Sequence, residues 1–261
     1  MKMISQNNLI EVLKANESLI NEIKDKVEKI KLASDFTSDY RPVEYIKNYL
    51  NEHANVIIFP SKDKNYGGLV TYRNGRFYIH INSGQPKIYE NFIWAHEFYH
   101  YYFEKDDIKN SKTHTFVDDN LLNSEERKAN LFAAEFLVNA RFLEISFGQI
   151  NMKFSADNLE ERVLRLIPRL EIPYKAIVIK LVQEKLISVK EALKIIDFSY
   201  KENIPKDFDQ SFLMPSNVIS INDLERLMRS NKVLENVRES DLETYEKQYQ
   251  KHLQVLRKSR G

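Results

Sequence analysis

The chain has 261 residues, 39 of them basic and 38 acidic, 43% hydrophobic and none cysteine. That is enough apolar material for one large domain or a catalytic domain with a smaller companion, and the charge balance argues against a global preference for nucleic acid or anionic membrane. The lack of thiols excludes disulfides, a thiolate nucleophile and cysteine-ligated zinc, and fits a reducing compartment.

The N-terminal residues carry no apolar run of signal-peptide length. No stretch approaches the roughly 18 uninterrupted apolar residues of a membrane helix. A cytoplasmic location is the expectation. From Leu9 to Leu32, apolar residues at threes and fours (Leu9, Val12, Leu13, Leu19, Ile20, Ile23, Val27, Ile30) predict an amphipathic helix packed on a core. Pro42 suits the first turn of a short helix through Tyr45, Ile46 and Leu50.

A β region follows. Asn55 to Phe59 is an apolar run stopped by Pro60, and Leu69–Tyr72 and Phe77–Ile81 flank Asn74-Gly75, a strong hairpin signal. Gly67-Gly68 reads as a flexible lead-in. Tyr89 to Phe103 is helical by pattern, Glu104 to Asn120 reads as a long polar loop, and a second helix spans Ser124 to Ala140. Phe142, Phe147 and Met152 read as core. Further helices are expected over Leu159–Leu170, Tyr174–Glu184 and Val189–Tyr200, punctuated by Pro168, Pro173 and Pro205. One or two charged helices follow Pro215.

The chemistry sits in Ala95-His96-Glu97-Phe98-Tyr99-His100. Two histidines four apart on a helix project from one face and reach a single metal ion. The intervening Glu97 stands beside that face, where it can hold a water and take its proton. Two core histidines and a surface glutamate would give the same string by chance, yet burying such groups without a partner is costly. Zinc needs a third protein ligand. Glu126 opens the second helix, with Asn130 one turn on, where a side-chain amide can bond a histidine ring nitrogen. Spacing alone leaves the choice open: Glu126 also fits a capping box with Asn123, and Glu125 is its neighbour.

His96-Glu97-Phe98-Tyr99-His100, Glu126 with Ala129-Asn130 and Phe132-Ala133-Ala134-Glu135, and the hairpin from Tyr72 to Asn82 together resemble the ImmA/IrrE family of metallo-endopeptidases, over roughly residues 40 to 190. The resemblance implies a gluzincin-like site with His96, His100 and Glu126 as ligands and Glu97 as base. It favours Glu126 over Glu125 because Asn130 lies four residues beyond it. It also implies a helix-turn-helix repressor as the substrate, whose cleavage derepresses mobile-element or stress genes. Leu137-Val138-Asn139-Ala140 departs from the family's usual Leu-Leu-Met-Pro.

The remaining histidines are weaker candidates. His80 reads as a structural strand residue, and His53 and His252 have bland contexts. His114, in the long loop, is a candidate oxyanion donor.

The expected fold is α+β: a small sheet against the HExxH and Glu-ligand helices, then an all-helical C-terminal extension. The expected division is a metallopeptidase domain with its N-terminal helix over 1–150, a helical subdomain over 151–205 and a charged extension over 206–261. The expected activity is zinc-dependent peptide hydrolysis, with manganese or another divalent ion able to occupy the same ligands. The alternatives are a non-proteolytic module that sequesters a repressor or toxin, which would have no need of Glu97, and a nucleic-acid-binding regulator suggested by the helices near 163–181. Near-neutral charge argues against the second.

Overall fold

Asn74 and Gly75 both adopt positive φ, at 49° and 79°, the conformation a two-residue hairpin turn requires. The turn joins β2 (Gly68–Arg73) to β3 (Arg76–Asn82) in antiparallel register, with Val70 opposite Ile79. The computed structural model describes residues 4–34, 40–63, 65–110, 124–200, 204–205, 207–222 and 230–258.

Before the sheet run α1 (Leu9–Ala33) and α2 (Pro42–His53), the latter with proline in its first turn. β1 (Asn55–Phe59) pairs in parallel with β3, and a two-residue strand, β4 (Ser220–Ile221), closes on the other side of β1, giving the order β2-β3-β1-β4. The C-terminal part is therefore not wholly helical. It returns one short strand to the sheet, steered there by Lys87 N–H donating to the Met214 carbonyl and Asn217 N–H to that of Ser83.

After β3 come α3 (Lys87–Phe103), a short α4 (Lys105–Asn110), and α5 (Ser124–Leu137). α4 replaces the first part of the expected polar loop, and residues 111–123 lie outside the described residues. Next is α6 (Ala140–Lys153), a helix the sequence reading missed, opened by Asn139, whose side chain accepts from the backbone N–H of Arg141 and Phe142. The expected helix over 159–170 is two short ones, α7 (Leu159–Leu164) and α8 (Ile167–Leu170). Pro168 explains the break, since it has no N–H to continue the α7 ladder. α9 (Tyr174–Gln183) stands as expected, whereas α10 (Val189–Ile195) stops short of Tyr200. The chain ends in α11 (Asn231–Asn236) and α12 (Glu239–Lys258).

Two apolar cores form. One, beneath the sheet, gathers Val56, Val70, Ile79 and Ile81 with Trp94, Phe98, Tyr99, Phe132 and Phe136. The other is a largely aliphatic cluster of α6 to α10, including Leu143, Ile150, Leu164, Ile177 and Ile195. α1 spans both, giving Leu9 and Val12 to the second and Ile23, Val27 and Ile30 to the first. On α6 the inward stripe is Leu143, Ser146, Phe147 and Ile150. Phe142 and Met152 fall off that stripe and are 50% and 77% exposed, so they are not the core residues they resemble in sequence.

Candidate metal centre

α3 is gripped on both sides. Trp94, Ala95, Phe98 and Tyr99 are at most 1% exposed, and each fully buried aromatic contributes about 2–3 kcal/mol of transfer free energy. Ala129 and Ala133 are fully buried on α5 and let that helix close against α3. Held so, α3 turns the stripe of His96 and His100 toward the first turn of α5. There the Glu126 carboxylate also suits the positive end of the helix dipole.

The two imidazole Nε2 atoms lie 3.1 Å apart, their rings at 68°. Glu126 closes the triangle, with Oε2 3.2 Å from His96 Nε2 and Oε1 3.6 Å from His100 Nε2. Four-coordinate zinc, with bonds of about 2.0–2.1 Å, holds its ligand atoms about 3.3–3.4 Å apart, close to the separation of the two imidazole nitrogens and to the distance of each from the carboxylate oxygen that faces it. On the far edge of its ring His100 Nδ1 sits 2.7 Å from Glu104 Oε2. Nδ1 therefore donates, and Nε2 turns a lone pair into the triangle. Electron-rich atoms that converge in this way call for a cation. Among the described residues these three form the one His/Asp/Glu group placed to hold a metal ion.

The electrostatics divide the two central carboxyls. Burial pushes the Glu126 carboxyl up, but the hydrogen bond with His96, the charges of both imidazoles and nearby Arg127 outweigh it and hold the pKa at about 2. Glu97 is 5% exposed. Burial raises its pKa to about 8, with His100 opposing and Glu126 and Glu104 reinforcing the rise. The two carboxyls thus shift in opposite directions. Arg127 is 4% exposed, and its Nε and Nη1 have no hydrogen-bond partner.

Glu97 sits hard against the sheet. A Cβ on Gly68 would come within 2.7 Å of Glu97 Oε1 and 2.8 Å of the His80 carbonyl oxygen. Gly68 is thus no flexible lead-in. It is a buried strand residue whose missing side chain lets the carboxyl touch the β2 backbone.

Beside it, the Tyr66 hydroxyl lies 2.5 Å from His80 Nδ1, and His80 Nε2 is 3.2 Å from the Phe59 carbonyl. The imidazole is stacked with Phe59 and Tyr66. Burial lowers its pKa to about 4, only partly offset by the backbone bond, so at neutral pH Nε2 donates to Phe59 and Nδ1 accepts from Tyr66. His80 is a packed structural residue.

Asn130 does not do what its spacing suggests. Its amide donates to the Glu126 carbonyl at 2.8 Å, a bond back to the preceding turn that occupies the group on its own helix. The contact to an imidazole ring is made by Glu104, which was read as the start of a loop. The signal was available: Glu104 follows His100 by four residues, one helical turn. His114 lies outside the described residues.

No curated protein matches the chain. A family model described as the IrrE N-terminal-like domain, of a peptidase family, matches residues 50–181. That span includes His96, Glu97, His100, Glu104, Glu126 and the Gly68 contact, and it covers half of the chain. The protein therefore belongs to the IrrE-type peptidase family and carries a metallopeptidase-like domain built around this triad.

Proposed function

We propose that the protein is a zinc-dependent endopeptidase in which His96, His100 and Glu126 hold the ion and Glu97 is the catalytic base. The observation that carries this reading is the convergence of the three donor atoms with a buried carboxyl on the adjacent face of the same helix. A zinc ion held there would polarise both a water molecule and the scissile carbonyl. Glu97 would take the attacking water's proton and deliver it to the departing amine nitrogen. Its seat against Gly68 keeps the carboxylate in one place for both transfers.

β2 is an edge of the sheet, with β3 as its one neighbour. A substrate segment can lie along that edge in extended form and present its backbone beside Glu97. The proposed substrate is a helix-turn-helix repressor. The motif resemblance supports that choice, as the cysteine-free composition supports a cytoplasmic setting.

The test is a purified mixture of this protein with a repressor encoded beside it. Cleavage should need added zinc and stop with a chelator. The Glu97→Gln variant should lose about 10²–10⁴-fold in rate while still binding zinc. A variant that keeps cutting would remove Glu97 from its role. A biological effect retained in full without cleavage would favour sequestration instead.

A further inference from the structure

We propose that Glu104 is a positioning residue that fixes the tautomer and orientation of His100 for the ion. The inference rests on the metal-site reading above and adds a residue to it.

Glu104 occupies a place that local energetics disfavours. It caps the C-terminus of α3, its backbone N–H donating to the His100 carbonyl, and a carboxylate there opposes the helix dipole. Its side chain is only 16% exposed, and its carboxyl lies within hydrogen-bonding reach of the Glu125 carboxyl, a second acidic group and a further cost. The compensating contact is the 2.7 Å bond from His100 Nδ1 to Oε2.

That bond has a specific chemical consequence. A neutral imidazole carries its proton on one nitrogen, and the partner of the other nitrogen decides which. With a carboxylate accepting from Nδ1, Nε2 is left unprotonated and aimed at His96 Nε2 and Glu126. The charge also makes Nε2 a better donor to a cation. Glu104 is not a fourth ligand, because Nδ1 and Nε2 lie on opposite edges of the ring and Oε2 is engaged on the Nδ1 edge.

Two measurements decide the matter, neither of them peptidase activity. The first is zinc affinity by competition with a chromogenic chelator, on wild type, Glu104→Ala and Glu104→Gln, with folding checked by thermal melting. The alanine variant should bind zinc about 10–100-fold more weakly. The glutamine variant, which keeps an acceptor oxygen opposite Nδ1, should recover part of that loss. An alanine variant within twofold of wild type overturns the proposal.

The second is the ring ¹⁵N spectrum of His100 in zinc-free wild type, which stands even if the alanine variant fails to fold. A protonated Nδ1 and bare Nε2 are expected, and the opposite tautomer overturns the proposal. Failure of wild type itself to take up zinc would sink the metal-site reading, whereas tight binding by both wild type and the alanine variant would sink the role of Glu104 alone.

Discussion

The two cores are built on different terms. Beneath the sheet, aromatic rings pack around a helix that carries two imidazoles and a buried carboxyl, and Trp94 Nε1 and Arg127 Nε and Nη1 are left without a hydrogen-bond partner among the described residues. Among α6 to α10 the interior is mostly Leu, Ile and Val, and α6, α7 and α10 start under side-chain caps. Asn158 with Glu161 and Ser188 with Glu191 form complete capping boxes. Arg165 pairs with Asp157 and Asp207. Local conflict is denser around the metal centre, while the supporting half keeps one conflict of its own at the end of α9, where both side-chain amide atoms of Gln183 are buried without a hydrogen-bond partner among the described residues. α1 runs through both cores, and α5 reaches the second at Leu137.

The sharpest test of that division lies where the halves meet. Lys180 of α9 is fully buried and its Nζ is 2.6 Å from Glu135 Oε1 on α5, the helix that presents Glu126. Replacing Lys180 by Met strands a buried carboxylate, which should cost about 3–5 kcal/mol in urea denaturation. Adding Glu135→Leu should recover most of it, because the pair's worth lies largely in avoiding a lone buried charge. If the single variant loses less than about 1 kcal/mol, the halves are not locked by this pair and the comparison weakens.

Next in size is the pH response of the sheet side. His80 has its pKa depressed to about 4 by burial, against about 6.5 when unfolded. The contribution of neutral His80 is therefore complete above pH 6.5. As pH falls the unfolded chain binds a proton that the folded chain refuses, and stability declines until the folded imidazole itself titrates. The loss across that window is about 3 kcal/mol. Between pH 7 and pH 4, wild type should lose about that much more than His80→Gln. Parallel curves for the two proteins would mean that His80 is solvated.

How much of this was written in the sequence follows the same line between regular and irregular parts. The hairpin was legible because Asn74-Gly75 admits few other conformations, and α1, α3, α5 and α9 because their apolar spacing is sustained. The pairing of His96 and His100 could be read from their spacing, whereas Glu126 was set apart from Glu125 by the family resemblance alone. Hidden were the contacts that depend on three-dimensional neighbours. Nothing along the chain says that Gly68 abuts Glu97, and the four-residue spacing that lets Glu104 reach His100 and Asn130 reach its own preceding turn does not say that either contact is made. Phe142 and Met152 misled because hydrophobicity gives no phase: the inward stripe of α6 is set by the helices it meets.

Gly68→Ala should have a smaller effect on stability and a clear one on the site. The added methyl meets the Glu97 side chain and the His80 carbonyl oxygen. Overpacking of this kind costs about 1–3 kcal/mol, and because the carboxyl must move, activity should fall by about 10²-fold while zinc affinity changes little. Equal loss of zinc affinity and activity would show that the methyl displaces the whole helix and not Glu97.

The smallest expected effect bears on the supporting half. Met152, 77% exposed, lies off the buried stripe of α6, as does half-exposed Phe142. Met152→Gln removes an apolar side chain that touches little, so stability should change by no more than about 0.5 kcal/mol. Zinc affinity should not change at all. A loss above about 1 kcal/mol in urea denaturation would mean that this face is covered in solution. The aliphatic half would then carry an unmet requirement beyond the buried amide of Gln183, and the contrast between the two cores would have to be redrawn.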